Sequence, residues 1–269
     1  MSGEIVNGLW LGKLGDMQLL SIKSFLKRGH RYILWVYNGV DQSLIPDNIP
    51  DGVTIMDAND ILDKKYIFYH WTGNLATFAD IFRFKLLYDR GGWWVDLDLV
   101  CLKSLPDVNF FFGGERTKQT GAYKKEHRHM YWIGLMKFPK GYKLLKVLYE
   151  DMLQKQRDFQ DKEKGLRFTY GQTRLGEMLQ DEHGVDFLYK KNEYNIDLFN
   201  PFSYFDMLDF FKKGELKTCC ERWGWGEISI EYILENSYTI HLYNTIIKEL
   251  SSKRGIKCKL LNVLEEIVL

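Results

Sequence analysis

Two apolar strands with a helix between them open the chain, and that order restricts the fold more than any other feature. "EIVNGLWLG" (4–12) reads as a short strand, and "DMQLLSIKSFLKRG" (16–29) carries Leu19, Leu20, Ile22, Phe25 and Leu26 at helical spacing with Gly29 as its stop. "HRYILWVYN" (30–38) returns as a strand. Strand, helix and strand in so short a stretch predict a βαβ unit, whose strands lie parallel with a crevice at their carboxyl ends. After a loop rich in Asp, Asn and Pro (39–52), "VTIMDA" (53–58) predicts a third strand. "LATFADIFRFKLLYDRGG" (75–92) predicts the strongest helix, with Phe78, Phe82, Leu86 and Leu87 in one stripe and Gly91-Gly92 at its end. Asp80 and Arg83, three apart, share a face of that helix.

The alternation continues with strands over 109–115 and 130–138 and helices over 142–156 and 172–184, then gives way to an aromatic, irregular stretch over 199–227. No repeat or dividing linker interrupts it, and 269 residues with 45% hydrophobic content suit a large core. The expectation is a single α/β domain over 1–269, with a half over 1–115, a second half over 116–269 and an irregular C-terminal part.

The 37 basic and 36 acidic residues leave a net charge of +1, which argues against nucleic acid as a partner. Cys101, Cys219, Cys220 and Cys258 show no C-x-x-C spacing, and a vicinal pair such as Cys219-Cys220 does not easily close an unstrained disulfide. The N-terminus lacks the pattern of a signal peptide, and no run of about eighteen apolar residues occurs. These features predict a soluble, cytoplasmic protein, with the lysines and aromatics of the C-terminal third compatible with peripheral contact at the inner face of a membrane.

"GGWWVDLDLV" (91–100) then places two aspartates one residue apart inside an apolar run. If the strand continues through them, Asp96 and Asp98 point to one face, and like charges held that close repel unless a cation sits between them. Mg²⁺ or Mn²⁺ takes a few carboxylate oxygens and fills its remaining positions with water and phosphate oxygens, so such a site binds a nucleoside diphosphate through its metal.

Two enzyme classes end an apolar strand in D-x-D. Haloacid-dehalogenase-type phosphohydrolases carry it on their first strand and need a later lysine and a second acidic pair; here it stands at position 96 with no later Asp-Asp. "FADIFRFKLLYDRGGWWVDLDLV" instead resembles the sugar-nucleotide-binding region of DXD glycosyltransferases of family 32, with yeast-type mannosyltransferases, alpha-1,4-galactosyltransferases, bacterial capsular enzymes and, in outline, the clostridial glucosylating toxins. Ala76 through Arg83 match the family's helix, Tyr88 and Gly91-Gly92 its turn, and Asp96 and Asp98 its D-x-D; Trp94 replaces the usual tyrosine. "VNGLWLGK" resembles the family's first strand, where an aromatic residue stacks on the base, a place taken by Trp10 after Leu9. "SYTIHLYN" (237–244) resembles the place where such enzymes return a His or Asn, here His241 or Asn244, to the metal or diphosphate.

The resemblance implies a GT-A fold with a Rossmann-like, mostly parallel sheet flanked by helices. It implies retaining transfer of a hexose from a nucleotide sugar, with a UDP-sugar as the expected donor, to a glycan or lipid-linked oligosaccharide hydroxyl, with Mn²⁺ or Mg²⁺ bound, as in polysaccharide biosynthesis. The 1–115 half would bind the donor and the 116–269 half the acceptor. Asp98 and His241 would bind the metal, Asp96 the metal or ribose, Asp80 and Arg83 the donor-sugar hydroxyls, Leu9 and Trp10 the base, with Trp94 packing the sugar or ribose. "TYGQTRLGE" (169–177) takes the place of an acceptor-side T-G-P segment without its proline, and "RWGWGE" (222–227), with Trp223 and Trp225, suits an aromatic lid over a sugar. A protein-modifying effector transferase is the alternative acceptor reading.

Overall fold

The computed structural model describes residues 3–70, 73–115, 130–158, 170–183, 199–202 and 235–244, together with Glu266. Strand β1 (Ile5–Leu9), helix α1 (Asp16–Lys27) and strand β2 (Arg31–Val36) form the expected βαβ unit. Gln18 Oε1 accepts the Gly15 N–H at 3.1 Å at the start of α1, and Asp16 and Lys27 stand at the ends that complement the helix dipole. β3 (Thr54–Asp57), α2 (Ala76–Arg90), β4 (Gly92–Val95), β5 (Leu99–Cys101), β6 (Phe111–Glu115), β7 (Met130–Phe138), α3 (Lys143–Asp158), α4 (Tyr170–His183) and β8 (Thr239–His241) follow.

Among the described residues six strands make one sheet in the order β3-β2-β1-β4-β7-β6, and β5 pairs antiparallel with β8 in a second. The first four strands are parallel, whereas β7 and β6 run antiparallel beyond β4. The chain therefore steps outward from β1 through β2 to β3, then crosses back to place β4 on the other flank of β1. The reversal of strand order falls between β1 and β4, the place where an open parallel sheet leaves a crevice at its carboxyl ends.

The sheet separates two cores. One holds Trp35, Tyr37, Trp94 and Met136 against α2, α3 and α4; the other holds Val6, Tyr32, Trp93 and Trp132 against α1, β5 and Phe199. Trp93 and Trp94 are consecutive on β4 and so fill opposite cores, as the alternation of a strand requires. α2 begins with the Asn74 side chain accepting the Ala76 N–H at 3.1 Å. It ends at Gly91, whose φ of +70° is left-handed and whose absent Cβ would lie 2.7 Å from the Lys140 nitrogen.

One expectation is corrected at the aspartates. β4 stops at Val95, and residues 96–98 form a turn before β5 begins at Leu99. The Leu99 N–H donates to the Asp96 carbonyl at 3.2 Å, and the Asp96 N–H to the Gly134 carbonyl at 2.8 Å. A turn, not strand alternation, sets the two carboxylates near each other.

Cys101 is a free, buried thiol; Cys219, Cys220, Cys258, Trp223 and Trp225 lie outside the described residues. No helix among the described residues is long and apolar enough to cross a membrane.

Candidate active site

The turn at 96–98 sits at the β1/β4 reversal and is held from beneath. Leu97, 5% exposed, drives its side chain into the second core, where it meets Gly8 of β1. A Cβ at Gly8 would stand 2.6 Å from the Tyr32 hydroxyl and 2.7 Å from Leu97 Cδ1, so a larger residue there would push on the side chain that pins the turn. With Leu97 pinned inward, the flanking carboxylates stay accessible: the side chains of Asp96 and Asp98 are 28% and 16% exposed.

The two aspartates face different partners. Asp96 is braced from α2: Arg83 Nη1 lies 3.2 Å from its Oδ1, and the Trp94 indole N–H donates to the same oxygen at 2.8 Å. Arg83 also reaches Asp80 Oδ1 with Nη2 at 3.2 Å and donates to the Ile133 carbonyl at 2.7 Å, while its guanidinium lies 4.9 Å from the Trp94 ring centre. Asp80 and Arg83 stand behind Asp96, largely buried, with side chains 7% and 6% exposed.

Asp98 is gripped from the C-terminal return. The Leu242 N–H donates to its carbonyl at 2.8 Å and the Asn244 N–H to its Oδ2 at 3.0 Å, with His241 Nε2 3.3 Å from that same oxygen. β8 delivers these groups through the register that sets Leu99 opposite His241.

These surroundings push the two carboxyls apart. Burial raises the pKa of Asp96 against the pull of Arg83, and the Asp98 charge raises it further. Burial also opposes ionisation of Asp98, but His241 and the Asn244 N–H outweigh it and hold that carboxyl below its ordinary value. Asp80, deeper still, is raised to about 7 because burial exceeds the pull of Arg83 and Asp96 adds repulsion.

Among the described residues no group of three His, Cys, Asp or Glu side chains is disposed to hold a metal ion. The structure brings Asp98 and His241 together and turns Asp96 toward Arg83 and Trp94. One ionised carboxylate and one imidazole still fit a hard divalent cation that keeps water and phosphate oxygens in its other positions, and an imidazole favours Mn²⁺ over Mg²⁺. At the other side of the reversal Trp10 follows β1, partly buried, its indole N–H on the Lys13 carbonyl at 3.2 Å. Leu9 puts its side chain into the first core and leaves only its backbone near the crevice.

The sequence reading missed the backbone of β7, where Ile133 and Gly134 hold Arg83 and Asp96. It also missed the rings around His241: Trp132 at 5.2 Å and Tyr243 at 3.8 Å between centroids. The apolar run over 130–138 signalled a strand but not its neighbour.

Residues 17–117 match the family model described as "Glycosyltransferase sugar-binding region containing DXD motif". The matched stretch runs from α1 past β6 and holds Asp80, Arg83, Trp94, Asp96 and Asp98; Trp10 and His241 lie outside it. Residues 17–117 are thus similar to a glycosyltransferase sugar-binding region, and they lie on a mostly parallel α/β sheet. Such glycosyltransferases generally take a nucleotide sugar and a divalent metal. No protein of curated function matches the chain.

Among solved structures, the chain is similar to the "PaToxG Glycosyltransferase" at 14% identity and a TM-score of 0.48, over 88% of each chain. It is similar to the apo-form glycosyltransferase GlyE of Streptococcus pneumoniae TIGR4 at 12% identity and a TM-score of 0.49, all of this chain covering 61% of that one. With the apo WbbM bifunctional glycosyltransferase the values are 10% and 0.45, over 99% of this chain and 52% of that one. The chain thus spans 61% of GlyE and 52% of WbbM.

Proposed function

We infer, from a glycosyltransferase sugar-binding region over residues 17–117, that the chain moves a hexose from a UDP-sugar to a glycan or lipid-linked oligosaccharide hydroxyl, with a divalent cation at Asp98 and His241. The observation that carries the reading is the convergence of two distant segments on Asp98, one from the D-x-D turn and one from β8, at the strand-order reversal where Trp10 also stands. A ready-made carboxylate–imidazole pair supports Mn²⁺ over Mg²⁺. When bound, the cation supplies charge stabilisation to a departing diphosphate.

The chain's own residues divide the remaining work. The Trp10 ring stacks on uracil, fixing the nucleotide at the β1 end of the crevice. Asp96 accepts a ribose hydroxyl, its carboxylate aimed by the Trp94 N–H and Arg83. Arg83, occupied by Asp80, Asp96 and the Ile133 carbonyl, acts on the donor through Asp96, while Asp80 contributes its second oxygen to the donor-sugar hydroxyls. Transfer proceeds with retention by attack from the leaving-group side, which needs no protein base; the departing diphosphate takes up the acceptor proton. The resemblance of the D-x-D region to capsular and galactosyl transferases favours a glycan acceptor.

The test is a thermal-shift screen of UDP-Glc, UDP-Gal, UDP-GlcNAc, UDP-GalNAc, GDP-Man and UDP, with Mn²⁺ and with chelator. A ligand at a hundred times its Kd adds about 2.7 kcal/mol, a rise of several degrees at this chain length. One UDP-sugar raising the melting temperature only with metal is the expected result; no response from any of the six with Mn²⁺ present overturns the reading. Asp98→Ala is expected to abolish metal-dependent donor turnover, and appreciable metal-dependent turnover in that variant defeats the assignment.

A further inference from the structure

Tyr243 has a φ of +53°, and no other described residue except glycine has a positive one. A bulky aromatic residue seldom adopts this left-handed conformation, and where one persists the surroundings must hold it there. The surroundings here are specific. The residue is 7% exposed; its hydroxyl donates to the Phe202 carbonyl at 3.0 Å and accepts from Asn200 Nδ2 at 3.4 Å. Its ring lies 3.8 Å from that of His241, centroid to centroid.

The backbone consequence falls on Asp98. The peptide N–H groups on either side of Tyr243, those of Leu242 and Asn244, both end on that aspartate, one on its carbonyl and one on its carboxylate. An extended residue at 243 would hold them about 7 Å apart along one edge of the strand, each facing a different residue; the left-handed one folds them onto a single residue. The same side chain that is clamped by Asn200 and Phe202 thus governs both the amide on Asp98 Oδ2 and the plane of the imidazole 3.3 Å from that oxygen.

We propose that Tyr243 is a positioning residue for the cation site, its clamped hydroxyl and left-handed backbone fixing His241 and the Asn244 amide on Asp98. The proposal rests on the reading of Asp98 and His241 as cation ligands. It assigns Tyr243 no contact with donor, acceptor or metal. The residue acts through the two groups it orients.

Calorimetric titration of Mn²⁺, with and without UDP, into the whole protein tests this, alongside metal-free melting curves. Four variants are compared: Asp98→Asn, His241→Ala, Tyr243→Phe, which keeps the ring and loses the clamp, and Tyr243→Asn, which tolerates the left-handed backbone and loses the ring. Asp98→Asn and His241→Ala are expected to weaken Mn²⁺ binding by tenfold or more. Tyr243→Phe is expected to weaken it about threefold and Tyr243→Asn about tenfold, with kcat returning to within twofold of wild type at saturating Mn²⁺. If the Tyr243 variants melt earlier but bind Mn²⁺ as wild type does while His241→Ala binds weakly, Tyr243 is only structural and the proposal falls. If Tyr243→Asn does not fold, Tyr243→Phe decides alone by the same criterion. Equal Mn²⁺ binding by wild type and Asp98→Asn overturns instead the cation reading beneath it.

Discussion

Asp80 is the residue whose charge state the fold controls most visibly. Its carboxyl is raised from 3.8 to about 7, chiefly by burial, with Arg83 pulling the other way. Folding therefore favours the protonated form, and the stability this contributes is complete below 3.8 and is lost as pH rises through 7. Wild type should lose stability relative to Asp80→Asn across that window, with a limiting slope of roughly 1.4 kcal/mol per pH unit. Denaturant unfolding at half-unit pH steps reads this directly, and parallel profiles would mean that Arg83 keeps Asp80 ionised throughout. At this scale the sequence was informative about identity and poor about role. The spacing of Asp80, Arg83, Asp96 and Asp98 marked them as a set. That Arg83 is used up by protein oxygens was hidden, because one of its acceptors, the Ile133 carbonyl, belongs to a strand 50 positions away.

Elements position the site through their ends, and two glycines there separate packing from function. Gly91→Ala would force a left-handed φ on a residue with a Cβ 2.7 Å from the backbone of Lys140, at the end of β4 remote from the D-x-D turn. It should lower stability by about 1–3 kcal/mol while leaving metal-dependent UDP affinity of the folded protein within twofold. Gly8→Ala presses on the side chains of Tyr32 and Leu97, and Leu97 is the residue that pins the turn; a comparable stability loss should come with at least a fivefold weaker UDP affinity. Melting curves and titrations on both variants check the contrast, and equal effects on affinity would break the link between Leu97 and the site. Strand and helix periodicity foretold these elements to within a few residues: the helix expected over 75–92 is Ala76–Arg90, and the strand over 130–138 is Met130–Phe138. The failure at 96–98 has a physical cause. "WWVDLDLV" alternates like one strand, yet β4 pairs with β7 only as far as Val95, and Leu99 pairs instead with His241 of another sheet. Pairing partners, absent from a local pattern, decide where a strand stops.

On the scale of the molecule, the sheet divides two cores and the D-x-D turn joins them. Asp96 is fastened through Arg83 and Trp94 to the α2 side, and Asp98 to the layer of β5 and β8. A cation and a UDP-sugar bound there should protect amides of both layers from hydrogen exchange together, those of α2 and those of 239–242; protection confined to one layer would place the ligand away from the turn. The alternating strands announced the parallel half of this architecture. The antiparallel β7 and β6, and the return of β8, depend on contacts across long stretches of chain that no local window contains. That distance also sets a schedule. Asp98 and Asn244 are 146 positions apart, whereas β1 pairs with β2 through Ile5 and Arg31 and with β4 through Val6 and Trp93, closing shorter loops. Closing so long a loop comes late, so on refolding the burial of Trp35 and Trp93 should be complete before UDP binding with Mn²⁺ returns, and simultaneous recovery would refute the order. A site wired this way is late by construction: on the ribosome the parallel strands can pair, but Asp98 stays ungripped until the segment around residue 243 has come out and found it.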